Sequence, residues 1–178
     1  MATEDKNMRY GVIIGLVTND KKIYLSRRID TIKVYPKKWQ LINDELKSVC
    51  ESSLDAAART IREETGINVT TNRLHHINLL QLDNQSYYIY MVHLAKGEIP
   101  FYIDDIKIQR GMFNHTEWRE FSLEQAVVLD LVPCLRSILR KLLTCMKKVE
   151  SLPKEKKTEA QIALESFDNT AASMYCGD

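Results

Sequence analysis

The apolar and polar positions divide the chain into short strand-like runs and two longer helical ones. From Tyr10 the run GVIIGLVT is β-branched and almost wholly apolar, which predicts a strand buried on both faces. Asn19-Asp20-Lys21 reads as a turn, and Lys22 to Arg28 as a second strand returning antiparallel. A basic loop, Lys33 to Lys38, leads to a short strand at Trp39-Gln40-Leu41-Ile42. Ile67-Asn68-Val69, Leu74 to Leu82 and Ser86 to Leu94 have strand composition, with a turn at Asp83-Asn84. Tyr87, Tyr88 and Tyr90 suit packing in that last strand, with stacking on a base as the alternative. Lys96 to Arg110 is an irregular insertion. Asn114 to Phe121 is a further strand, after which Ser122 and Gln125 form a capping box for a short helix.

The two longer helices are better defined. In Glu51 to Ile67, ESSLDAAARTIREETGI, Ser52 serves as N-cap with Asp55 three residues on, alanines favour the helix, and Gly66 ends it. At about 100° per residue, Leu54, Ala57, Ala58 and Ile61 share one face. Ala56, Arg59, Thr60, Glu63 and Glu64 spread over the other, so an open acidic face is expected. Val132 to Val149 predicts a terminal helix with Leu135, Ile138, Leu139, Leu142 and Leu143 on a packing stripe.

Composition narrows the class. A chain of 178 residues with 44% apolar and 28% charged residues is long enough to bury a core. The expected organisation is a flexible start over 1–8, one domain over 9–149 and a polar, mobile tail over 150–178, with 154–166 as a possible isolated helix. A net charge of +1 gives no strong field toward nucleic acid or an anionic membrane. No apolar run approaches the length of a membrane span, and no secretory h-region follows Met1. Cys50, Cys134, Cys145 and Cys176 lack zinc spacing and read as reduced thiols of a cytoplasmic protein. The four histidines, at 75, 76, 93 and 115, lack metal spacing as well. No repeat, P-loop or dinucleotide-binding glycine pattern is present.

The chemistry converges on the first helix. Adjacent Glu63 and Glu64, with Glu51 just before the helix, are oxygen donors suited to a hard cation. The plain alternative is a solvated face with Arg59 and Glu63 as an i,i+4 pair. The order of these residues resembles the Nudix box, GX5EX7REUXEEXGU, matched at Glu51, Arg59, Ile61, Glu63, Glu64, Gly66 and Ile67. Two positions depart: Glu45 stands at the opening glycine and Thr60 at the glutamate after the arginine. The Pro-Gly-Gly turn that commonly follows a tryptophan in that family is here Ile42-Asn43-Asp44-Glu45, an altered turn whose Asp44 and Glu45 can add carboxylates.

The resemblance covers roughly residues 9–148 and implies an α/β fold, an α/β/α sandwich around a mixed β-sheet. It implies a hydrolase of a nucleoside diphosphate linked to another group, dependent on Mg²⁺ or alternatively Mn²⁺. Glu63, Glu64 and Arg59 would be catalytic, and Glu63, Glu64 and Glu51 would hold metal. Arg27 and Arg28 would meet the substrate phosphates. Replacement of a ligand by Thr60 implies weakened turnover unless Glu98, Asp104, Asp105 or Glu117 compensates. The competing reading is a catalytically retired module that binds a nucleotide or a protein partner. RNA stays among the partners through Lys33, Lys37 and Lys38, a membrane does not, and the oligomeric state is open.

Overall fold

The computed structural model describes residues 8–82, 84–100 and 115–151, with side chains to residue 144. Seven strands form one mixed sheet among them. They are β1 (Arg9–Val17), β2 (Lys22–Arg28), β3 (Trp39–Gln40), β4 (Ile42–Glu45), β5 (Leu74–Leu82), β6 (Gln85–His93) and β7 (His115–Ser122). The helices are α1 (Ser53–Thr65), α2 (Leu123–Ala126) and α3 (Leu135–Ser151). Asp104, Asp105, Cys176, the 154–166 segment and Asp83 lie outside the described residues, as does the side chain of Cys145.

β1 is the axis of the sheet. It runs parallel to β6 over its whole length, from Arg9↔Gln85 to Val17↔His93. It pairs antiparallel with β4 at one end and with β2 at the other. Its side chains alternate between two cores, as expected for a strand buried on both faces. Val12, Ile14 and Leu16 enter one core with Ala56, Ala57 and Ile61 of α1. Val17 and the flanking Ile13 enter the other with Leu135, Ile138, Leu139 and Leu142 of α3. The result is the α/β/α sandwich expected from the sequence.

Four local expectations change, the first being that Ile67-Asn68-Val69 belongs to no strand but to the connection between α1 and β5. The run 39–42 is not one strand: Trp39–Gln40 pairs with β2, and Ile42–Glu45 pairs with β1. Leu41 and Ile42, adjacent in sequence, therefore point into opposite cores. Where an altered turn was expected, Asp44 is a strand residue in register with Val12. The terminal helix starts at Leu135 rather than Val132, after Pro133 and a left-handed Cys134 at φ 67°. Its entry is fixed by hydrogen bonds from Trp39 N to Asp130 O and from Val132 N to Trp39 O.

Candidate active site

Helix α1 forms for the local reasons its sequence supplies. The Ser52 hydroxyl accepts from Asp55 N, and Gly66 closes the helix in the left-handed region at φ 73°. Its orientation departs from the sequence reading. Ala56, Ala57, Thr60, Ile61 and Thr65 are buried, whereas Leu54 and Ala58 lie at the margin. The buried arc is thus rotated toward the side that the apolar pattern leaves to solvent. Because successive residues turn by about 100°, Glu64 falls near the middle of that arc, one turn beyond Thr60 and Ile61.

This rotation gives Thr60, which departs from the box, and Glu64, which matches it, separate fates. Thr60 is 1% exposed and its hydroxyl donates back to Ala56 O at 2.7 Å, the local bond that threonine makes inside helices. Glu64 is largely buried and pushed up to about 7, first by desolvation and then by the like charges of Asp44 and Glu63. Its Oε2 lies 3.2 Å from Nδ1 of His115, the first residue of β7. Burial brings that imidazole down to about 4, so it is neutral at pH 7.

The open side of α1 carries an ordered charge cluster around Arg59, which is only 11% exposed. Arg59 Nε and Nη2 donate to the two oxygens of Glu51, at 2.7 and 3.2 Å. Nη1 donates to Asp44 Oδ2 at 2.7 Å and Glu63 Oε2 at 3.1 Å, and Nη2 also reaches Glu45 O. This is the fork geometry that distinguishes arginine from lysine. Glu51 first, then Asp44 and Glu63, raise Arg59 above its usual range, and Arg59 and Lys47 together hold Glu51 and Glu63 below theirs. Both Glu51 oxygens are occupied, since the Lys47 amide also donates to Oε2 at 2.6 Å. Lys47 Nζ donates to Glu63 Oε1 at 2.8 Å.

The structure thus brings together Arg59, Glu51, Glu63 and Glu64 as the sequence proposed, and adds Asp44, Lys47 and His115. Asp44 is a carboxylate that the sequence offers at this place, whereas Lys47 and His115 carry no local signal of it. Arg27 and Arg28 lie against the basic loop: Arg27 Nε donates to Lys37 O and Arg28 Nε to Val34 O, both at 3.1 Å. Arg28 also donates to Gln40 and Arg27 to Glu117. Glu117 is shared with Arg119, while Glu98 is clamped by Arg73. Neither is tied to the Arg59 cluster by an observed contact. Tyr90 is a packing residue, 3% exposed, with its hydroxyl 2.8 Å from Ser53 Oγ.

Among the described residues, no three acidic, histidine or cysteine side chains converge as a ready-made metal cage. The donors still fit Mg²⁺, which keeps several waters and takes one or two carboxylates together with substrate phosphates. Glu63 and Glu64 are the two carboxylates that could hold it, once a Glu63 oxygen is released from Lys47 or Arg59. The elevated proton affinity of Glu64 beside two other carboxylates marks a place where positive charge is wanted. No helix among the described residues is long and apolar enough to cross a membrane.

The NUDIX domain family model matches residues 8–142. Among solved structures, a mutT/nudix family protein from Listeria innocua superposes with a TM-score of 0.61 at 19% identity, covering 83% of this chain and 97% of that one. MutT studied from Aliivibrio salmonicida and Vibrio cholerae gives 0.61 at 16% identity over 77% and 98%. A MutT NUDIX hydrolase from Burkholderia pseudomallei gives 0.57 at 20% identity over 74% and 94%. These likenesses concern the fold. Among curated protein sequences no relative matches the chain.

Proposed function

The chain belongs to the NUDIX domain family, and from that premise we propose that it is a divalent-cation-dependent hydrolase of a nucleoside diphosphate linked to another group. The observation that carries this reading is the pairing of a carboxyl poised near neutrality, Glu64, with a carboxylate cluster ordered by Arg59. Groups so perturbed beside a specific charge arrangement concentrate at functional sites.

Glu63 and Glu64 would hold the cation, Mg²⁺ or Mn²⁺. When bound, it supplies neutralisation of the diphosphate charge and a lowered pKa for the attacking water. Arg59 is the orienting residue: through Glu51 and Asp44 it fixes the line from which Glu63 projects. In the reaction, water oxygen forms a bond to phosphorus while the bridging P–O bond breaks. The electron pair of that bond leaves on the departing phosphate oxygen, and the water proton passes to Glu64. Arg27 and Arg28, by holding the carbonyls of Lys37 and Val34, would shape the basic loop that meets the phosphates.

A second reading has its own support. Thr60 is turned into the helix, so the box lacks one carboxylate, and a retired module that binds a nucleotide derivative or a protein partner would need no more. One experiment separates them: mononucleotide or phosphate release from a panel of nucleoside diphosphate compounds with Mg²⁺ or Mn²⁺, comparing the parent with Glu64→Gln. Turnover that disappears in the variant supports the hydrolase. Cation-dependent binding without turnover in the parent supports the retired module, and neither binding nor turnover removes both nucleotide readings.

A further inference from the structure

We propose that Lys47 is a resident cation for the Glu63 carboxylate, displaced when a divalent ion binds, and that it sets the affinity of the site for that ion. The proposal rests on the reading of Glu63 and Glu64 as the ion's ligands and adds its competitor. Lys47 lies between β4 and α1, and Leu46 N donates to Tyr10 O just before it. The Lys47 amide donates to Glu51 Oε2 at 2.6 Å. Its backbone is therefore pinned to the same carboxylate that anchors Arg59.

The tip is held differently from the base. Lys47 Nζ has one observed carboxylate partner, Glu63 Oε1 at 2.8 Å, and the side chain is 59% exposed. Arg59, by contrast, is 11% exposed and engages three carboxylates. One cation is thus built into the cluster and the other is tethered at its root but loose at its end. A lysine ammonium on a flexible stem, with three donors and a strong affinity for water, leaves such a partner readily. Glu63 meanwhile has both oxygens engaged, Oε1 by Lys47 and Oε2 by Arg59. A hard cation needs one of them, and the exposed Lys47 contact is the one that can open.

The test is Mn²⁺ binding to the metal-free full chain, read as loss of the free-ion resonance, for the parent and for Lys47→Met, Lys47→Arg, Arg9→Gln, Glu63→Gln and Glu64→Gln. Lys47→Met is expected to bind Mn²⁺ about fivefold tighter, the equivalent of an exposed ion pair removed from competition. Lys47→Arg, which keeps the charge, should stay close to the parent. Arg9→Gln removes a nearby positive charge that pairs with Glu45, and it too should leave binding unchanged.

A second readout is independent of turnover. In chelator the thermal midpoint of Lys47→Met should fall below the parent's, and saturating Mn²⁺ should close that gap. If Glu63→Gln weakens binding but Lys47→Met does not tighten it, the resident-cation proposal fails while the site reading stands. Equal tightening by Arg9→Gln also overturns the proposal, because the effect is then general charge. Binding that is insensitive to Glu63→Gln and to Glu64→Gln removes the site reading and the proposal together.

Discussion

His115 Nδ1 lies 3.2 Å from Glu64 Oε2, and the two groups have shifted in opposite directions, Glu64 up to about 7 and His115 down to about 4. Between pH 4.5 and 6.5 the folded pair holds one proton, on the carboxyl. The unfolded pair, with values of 4.5 and 6.5, also holds one, on the imidazole. Neutralising both groups together is how a buried acid and a buried base avoid carrying charge out of water.

The pH dependence of stability follows from that count. Glu64, raised, contributes stability that is present below 4.5 and lost as pH rises toward about 7. His115, lowered, contributes stability that is present above 6.5 and lost as pH falls toward about 4. The two slopes cancel across the shared window. In metal-free buffer Glu64→Gln should therefore expose the histidine slope, losing about 3 kcal/mol relative to the parent's profile as pH falls through that window. His115→Asn should expose the opposite slope. Denaturant titrations at pH 4.5, 5.5 and 6.5 measure it, and parallel profiles for the parent and both variants would falsify the paired assignment.

Arg59 offers a sharper structural prediction. Replacing it by Ala leaves Glu51, Asp44 and Glu63 without their shared cation, and Glu51 is 15% exposed. Breaking a largely buried pair by removing one partner costs about 3 kcal/mol or more. Arg59→Lys keeps the charge but not the fork and should recover only part of the loss. Equilibrium denaturation gives both numbers; an alanine variant within about 0.5 kcal/mol of the parent would show the cluster to be an ordinary solvated face.

Much of this was legible locally. Ser52, Gly66 and the Ser122–Gln125 box mark helix ends through short-range hydrogen bonds, and the apolar β1 run signals burial on both faces. What the pattern did not carry was long-range register. His115 reaches Glu64 because β7 pairs with β2, with Arg28 opposite His115. Asp44 reaches Arg59 because β4 pairs with β1. Nor does the sequence define the rotation of α1, since three consecutive alanines at 56, 57 and 58 leave the buried arc free to lie on either side. Contact with the sheet chose Ala56 and Thr60, and carried Glu64 inward with them.

That rotation changes what Thr60→Glu should do. On an open face a glutamate there simply adds a ligand; at a 1% exposed position, one turn from Glu64, it adds a second buried carboxylate. The variant should be less stable than the parent in chelator and show a larger rise in thermal midpoint on adding Mg²⁺. Thr60→Val removes only a back-bonded hydroxyl and should cost about 1 kcal/mol or less, with Mg²⁺ response unchanged. A midpoint for Thr60→Glu that ignores Mg²⁺ would place position 60 outside the cation's reach.

Gly11 links the sheet to the site. A Cβ there would lie 2.8 Å from Asp44 O and 2.7 Å from Tyr87 Cε1, closer than real contacts allow. Gly11 pairs with Glu45 on β4 and with Tyr87 on β6, so the missing side chain is what lets Asp44 approach and meet Arg59. Gly15, on the same strand, has more room: its Cβ would sit 3.4 Å from the ends of Ile23 and Leu142. Gly11→Ala should therefore cost about 1–3 kcal/mol from overpacking and also weaken Mn²⁺ binding, because shifting β4 displaces the Asp44 contact with Arg59. Gly15→Ala should change Mn²⁺ affinity little, since its neighbours belong to the core on the α3 side. Measuring both variants for stability and Mn²⁺ affinity distinguishes general loosening of β1 from specific displacement of β4. Equal loss of affinity in the two would mean that the site depends on sheet stability as a whole rather than on the approach of Asp44.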